Sequence, residues 1–174
     1  IERFGNVFVH LFGTTETVGQ ATILRTEEIA DALKEGRTDI LASCGRSFAD
    51  MQSQVVDEED RPVPPGAVGE MRVRGLGTTL GYWNKEAETR KDFRNGWYYS
   101  MDLCKVDEQG FIYVVDRKKD MIITGGENVY PAEVESVLYK HPAVAQTAVI
   151  GLKDEKWGEI VTALVIKKPD VDAT

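Results

Sequence analysis

The 174-residue chain is 42% apolar and 29% charged, ordinary values for a globular protein that folds in water. That length suits one domain, or one domain and a small second one, with enough apolar residues for a core that needs no disulfide or structural metal. The net charge of −8 excludes a nucleic-acid or anionic-membrane surface, because phosphate recognition needs more local positive charge than the short cluster Arg117-Lys118-Lys119 supplies.

The two cysteines, Cys44 and Cys104, form no CxxC, and His10 and His141 stand alone, so no zinc site is expected. Two unpaired thiols suit a reducing cytoplasm. No apolar run approaches the ~18 residues of a spanning helix. Ile1-Glu2-Arg3 shows neither a signal peptide nor an initiator methionine, so the chain is expected to be a piece of something longer.

In chain order, Asn6 to Phe12 is β-branched and aromatic and predicts a short buried strand. Gly13-Thr14-Thr15-Glu16-Thr17 follows as a polar loop. Thr26 is placed to cap a helix over residues 27–35, with Gly36 at its end and Ile29, Ala32 and Leu33 as its apolar stripe. From Ser53 to Tyr113 the pattern is one of short strands. Glu70-Met71-Arg72-Val73-Arg74 alternates, which predicts one buried and one wet face. Asp107-Glu108-Gln109-Gly110 reads as a hairpin turn between two further strands. Together these predict a small barrel or bent sheet.

After Asp120 the texture changes. Pro131 suits the first turn of a helix whose stripe is Val134, Val137 and Leu138, and His141-Pro142 ends it. Two strands follow, Val144 to Leu152 and Glu159 to Lys167. The predicted class is therefore α+β: a distorted antiparallel, barrel-like subdomain followed by a partial small α+β domain. The expected division is 1–116, a hinge at 117–120, and 121–174.

Three places could carry chemistry. In Gly13 to Thr17, a glycine admits a ligand to the backbone, hydroxyls donate to phosphate, and a carboxylate holds Mg²⁺; the alternative is a solvated Thr-rich turn. Asp102, after Trp97-Tyr98-Tyr99, is a strand-end acceptor for a sugar diol, or simply a turn residue. The run Asp116 to Glu135 interrupts two strand-like segments with charge. Arg117 there could bind ribose or phosphate, or the charges could keep a linker in water. Gly125-Gly126 permits positive φ or close approach of a ligand, with a plain turn as the alternative. Gly75-Leu76-Gly77 is a weak dinucleotide signal, since Leu80 occupies the third glycine position. Trp83, Trp97, Tyr98 and Tyr99 read as core and rim packing.

In order, these segments resemble the adenylate-forming superfamily of acyl-CoA synthetases, adenylation domains and luciferases. Phe12-Gly13-Thr14-Thr15-Glu16 looks like its aromatic-Gly-x-Thr-Glu motif. Gly69-Glu70 through Gly75 to Gly81-Tyr82-Trp83 and Thr89 looks like its Gly-Glu…Gly…Gly-Tyr segment. Trp97-Tyr98-Tyr99-Ser100-Met101-Asp102 resembles Trp-Tyr-Arg-Thr-Gly-Asp, with Tyr99 and Met101 replacing the usual Arg and Gly. Asp116-Arg117 through Gly125-Gly126-Glu127-Asn128 and Pro131-Ala132-Glu133-Val134-Glu135 resembles the hinge motif.

The resemblance implies that Phe12 stacks on adenine, that Gly13 and Thr15 meet the nucleotide with Thr15 on the α-phosphate, and that Glu16 ligates Mg²⁺. It also implies that Asp102 and Arg117 take the ribose hydroxyls, and that Lys119 is the pivot of the small domain. Gly125, Gly126 and Glu127 would line the pantetheine path of CoA. The implied parent is a cytoplasmic ATP-dependent ligase joining a fatty or aromatic carboxylic acid to CoA, with ATP, Mg²⁺ and CoA as its small molecules and room for a homodimer. An adenylation domain feeding a carrier protein, a luciferase-like oxygenase and a non-catalytic nucleotide-binding fragment are the alternatives. The chain shows neither a Ser/Thr/Gly-rich phosphate loop ahead of Phe12 nor a late Gly-Lys segment, so by itself it is expected not to make acyl-adenylate.

Overall fold

The computed structural model describes residues 3–169. The class is α+β, as expected, with mostly antiparallel sheets and, among the described residues, three short α-helices. The chain divides between Val114 and Val115 into two compact units.

In the first unit, β1 (His10–Phe12), β2 (Thr22–Leu24) and β3 (Arg46–Ser47) form a three-stranded antiparallel sheet. The buried strand predicted from Asn6 is therefore shorter and more open: Phe8 and Leu11 remain 47% and 48% exposed. β1 lies at a sheet edge with β2 as its neighbour, so only one flank is paired. The helix α1 (Thr26–Lys34) starts one residue earlier than predicted, with Arg25 as its N-cap. Glu28 reaches back to accept the Arg25 N–H at 2.8 Å, while the Thr26 hydroxyl donates to the Phe8 carbonyl. Ile29 and Ala32 are buried in a cluster with Leu24, Ile40 and Phe111, whereas Leu33, predicted on the same stripe, lies at the exposed rim.

The second sheet holds β4 (Met51–Val56), β5 (Val68–Gly75), β6 (Phe93–Arg94), β7 (Trp97–Val106) and β8 (Ile112–Arg117) in the order β4-β5-β7-β6, with β8 also on β7. It is the curled half-barrel that the strand pattern predicts. Met71 and Val73 point inward with Val55, Cys44, Cys104 and Ile112. The other face is less wet than the alternation suggests. Glu70 is buried, and Trp97 and Tyr99 form a small cluster with Val56. Arg72 and Arg74 lie over the Trp97 ring at 4.5 and 4.3 Å, shielding it with their guanidinium planes. Trp97, Tyr98 and Tyr99 are packed as predicted; Trp83 is 93% exposed and is not. α2 (Glu86–Asp92) leads directly into β6. The predicted turn at 107–110 is present, with the Asp107 carboxylate accepting the N–H groups of Gln109 and Phe111.

The second unit contains β9 (Ile122–Thr124), β10 (Glu127–Val129), α3 (Pro131–Leu138), β11 (Val144–Asp154) and β12 (Gly158–Lys167), with sheet order β10-β9-β12-β11. Val134 and Leu138 are half-buried, while Val137 is exposed. Glu135 substitutes a polar tie: its carboxylate accepts the Val149 N–H at 2.8 Å and pins α3 to β11.

Candidate nucleotide-binding site

The loop after β1 is closed by its own residues. Thr15–Thr17 form a single 3-10 turn, and the buried Thr17 hydroxyl donates to the Thr14 carbonyl while accepting the Thr14 N–H. Gly19 and Ala21 donate back to the Thr14 and Phe12 carbonyls at 2.8 and 2.9 Å. A Cβ on Gly13 would stand 2.3 Å from the Gly19 carbonyl carbon. On the side where a Cβ would stand, Gly13 is thus packed against the loop's own backbone, while the residue as a whole stays half-buried. What the loop presents outward is Thr15, which is exposed. Phe12 is half-buried, with its ring packed against the main core cluster.

Glu16 is held through both its side chain and its backbone. The Tyr82 phenol donates to its Oε1 at 2.8 Å, and the Thr79 N–H donates to its backbone carbonyl at 2.8 Å. Burial works against its charge, but hydrogen bonds from Tyr82, its own backbone and Tyr98 outweigh that and hold the carboxyl below the usual glutamate range. The phenols move the other way. Burial and the neighbouring Glu16 charge push Tyr82 strongly up, and burial raises Tyr98 to about 12, so both are neutral donors at physiological pH. Residues from three separate motifs meet at this carboxylate. The sequence reading gave Tyr82 no role of its own; its only signal was the Gly81-Tyr82 pair with Thr89 behind it.

Asp102 lies in the same unit, on β7, and is 1% exposed. Its N–H donates to the Ser100 hydroxyl, which donates in turn to the Met71 carbonyl. Here the ladder slips: Glu70 faces Leu103, but Arg72 faces Tyr99 in place of Met101. Met101 takes up the irregularity with φ at +62°, a left-handed conformation that costs most residues about 1–2 kcal/mol and glycine nothing. That is the physical reason for a glycine at this place in the motif the segment resembles. The Asp102 carboxylate is enclosed.

The hinge motif serves the second unit's own folding. Asp116 accepts the Arg117 N–H with one oxygen and the Ala132 N–H with the other, at 2.7 and 3.0 Å. It thereby caps the first turn of α3 from 16 residues away, a role without local sequence signature. Arg117 ends β8, and Lys119 lies in the following turn, beside a cleft of about 400 Å³ also lined by Asp120, Glu135 and Glu159. Gly125 and Gly126, at φ +59° and +86°, make the two-residue turn between β9 and β10. A Cβ on Gly125 would stand 2.9 Å from the Trp157 ring, whereas one on Gly126 would meet open space. Glu127, the first residue of β10, is exposed and pairs with Thr124.

Among the described residues no group of three or more His, Cys, Asp or Glu side chains could hold a metal alone. One ionised carboxylate beside an exposed hydroxyl still fits Mg²⁺, which needs one or two protein carboxylates and completes its shell with water and phosphate oxygens. No helix of the described residues is long and apolar enough to cross a membrane.

Residues 1–83 match the model of the AMP-binding enzymes, and residues 133–174 match that of the AMP-binding enzyme C-terminal domain. The medium/long-chain-fatty-acid–CoA ligase FadD8 of Mycobacterium tuberculosis is 45% identical over 166 residues, covering 95% of this chain and 28% of FadD8. Among solved structures, o-succinylbenzoate CoA synthetase (MenE) of Bacillus subtilis in complex with the acyl-adenylate OSB-AMP is 36% identical with a TM-score of 0.81, covering 94% of this chain and 32% of MenE. The same enzyme has been solved in complex with ATP and magnesium ion (36% identity, TM-score 0.79, 95% and 32% covered). The amide bond synthetase McbA of Marinactinospora thermotolerans is 34% identical with a TM-score of 0.82, covering 99% of this chain and 34% of McbA. The chain spans about a third or less of the length of each relative. The two family models and the similarity in fold over nearly all of its residues identify the chain as a part of the AMP-binding enzyme family.

Proposed function

We propose that this chain is part of an ATP-dependent carboxylic acid:CoA ligase, in which it supplies the end of the large domain, the hinge and the beginning of the small domain. The observation that carries the reading is the Glu16 cluster, where an ionised carboxylate is fixed by hydroxyl donors beside an outward threonine. The FadD8 and MenE similarities support the acid:CoA chemistry. A fatty or aromatic acid is the substrate class, and the cytoplasm and a homodimer are the proposed setting.

In the first half-reaction the acid's carboxylate attacks the α-phosphorus of ATP and pyrophosphate leaves. Thr15 donates to the α-phosphate and Glu16 holds Mg²⁺. The ion would neutralise charge on the phosphate oxygens. Phe12 offers the exposed part of its ring to adenine, and Asp102 and Arg117 receive the ribose hydroxyls. No protein nucleophile is required, because positioning and charge stabilisation at phosphorus carry the rate. In the second half-reaction the CoA thiolate attacks the acyl carbonyl and AMP leaves, with Lys119 as the pivot and Gly125, Gly126 and Glu127 along the pantetheine path. The McbA likeness favours a second reading, in which an amine takes the place of the thiol.

Acid-dependent exchange of labelled pyrophosphate into ATP, measured on the intact protein across a panel of fatty and aromatic acids, tests the first half. Exchange with at least one acid is expected, and silence across the panel would remove the adenylation reading. Mass spectrometry of products with CoA or with amines then separates the two acceptors.

A further inference from the structure

We propose that Tyr82 is a positioning residue for Glu16: its phenol fixes the carboxylate at the nucleotide site in the orientation that receives the metal-bound nucleotide. This rests on the ligase reading above.

The geometry is built for that purpose in layers. The Tyr82 N–H donates to the Thr89 hydroxyl at 2.9 Å, tying the segment after β5 to α2. Gly81 allows this close approach, since a Cβ there would stand 2.4 Å from the Thr89 methyl. Phe93 meets the Tyr82 ring edge-on at 5.5 Å and 77°, and Tyr98 packs against Phe93 at 5.1 Å. Backbone, ring and packing thus fix the phenol oxygen before any ligand arrives. That oxygen has one proton and two carboxylates within reach, Glu16 Oε1 at 2.8 Å and Asp92 Oδ2 at 3.3 Å. The shorter bond goes to Glu16. A phenol hydroxyl facing a carboxylate oxygen can only donate, so at 2.8 Å the bond is a charge-assisted donation to Glu16.

A flexible glutamate on a 3-10 turn would otherwise sample several rotamers. Holding one oxygen on Tyr82 leaves the carboxylate in a single orientation and lowers the ordering cost when a cation binds. Gly81, Tyr82, Thr89 and Phe93 thereby form one device: two residues to hold the ring, one to allow the approach, and the phenol that acts.

The test uses Tyr82→Phe in the intact protein, which keeps the ring and its packing on Phe93. Manganese binding in the presence of ATP, followed by electron paramagnetic resonance, is expected to weaken about tenfold, from the loss of one hydrogen bond to a charged group. The midpoint for Mg²⁺ in pyrophosphate exchange is expected to rise in parallel, with the rate recovered at saturating Mg²⁺. Thermal unfolding without ligand is expected to stay within a few degrees of wild type. Asp92→Asn, which weakens the competing acceptor, is expected to leave manganese affinity equal or tighter. Unchanged manganese affinity in Tyr82→Phe, with or without a lower melting temperature, would overturn the assignment and leave Tyr82 as packing. Wild-type protein that exchanges no pyrophosphate with any acid strikes at the ligase reading, whereas active wild type with an indifferent Tyr82→Phe strikes only at this inference.

Discussion

The two units use their motifs in opposite ways. In the first, chemistry-bearing residues are joined across long stretches of chain: Glu16 and Tyr82 lie 66 positions apart. In the second, the residues of the hinge motif largely satisfy one another, with Asp116 on its neighbour and on the start of α3, and Gly125-Gly126 turning one short hairpin. A site assembled from distant segments is fixed by the whole fold around it. A motif closed on itself is fixed by its own short stretch of chain.

The contrast is sharpest in the activity of Glu16→Gln. This near-isosteric change removes a charge without removing volume, so acid-dependent pyrophosphate exchange in the intact protein should fall by about 100-fold or more, with little change in melting temperature. A loss of exchange that merely tracks unfolding would break the view of the cluster as functional. In the second unit the effects should be structural and local. Gly125→Ala puts a methyl group into the Trp157 ring as well as a left-handed strain into the turn, whereas Gly126→Ala incurs the strain alone. Gly126→Ala should destabilise the unit by about 1–2 kcal/mol and Gly125→Ala by more, as read by denaturant unfolding. Equal losses would mean that Trp157 yields freely.

Asp116→Ala should cost about 1 kcal/mol, the usual value of a lost helix cap, and hydrogen exchange should show the Ala132 amide losing protection while the first unit is unchanged. Loss of protection in both units would contradict the local reading of the motif. The smallest effect concerns pH. The Glu16 carboxyl is held below its ordinary range, so its contribution to stability is complete above that range and is lost as pH falls through it to the lower folded-state value. Tyr82→Phe should narrow that acid window, and acid titrations of the two proteins followed by circular dichroism would show it.

The fold class, the turn at 107–110, α3 and the two long strands of the second unit were legible because each has a local cause: alternation, a turn carboxylate, a proline at a helix start. The misses share a different origin. Glu70 alternates like a solvent-facing residue but lies beside the ladder slip and is buried. Leu33 and Val137 keep helical spacing but fall at the edge of faces too narrow to cover them. Of the candidate site, the residue types and their order were readable, whereas the tie between Glu16 and Tyr82 was not, since no local pattern encodes a contact between separate motifs. At Gly13 the need for a glycine also has a cause that the sequence does not display, the close pass of the Gly19 backbone.

The state of the thiols has a practical consequence. Cys44 and Cys104 are free and buried, and burial pushes both thiols up, so neither offers a reactive thiolate at neutral pH. Within these residues the molecule is silent to maleimide chemistry. A cysteine introduced at exposed Lys34 and another at exposed Lys156 would therefore take fluorescent labels without first deleting the native pair. Energy transfer between such dyes would report, in single molecules, whether the distance between the two labelled positions changes when ligands are added.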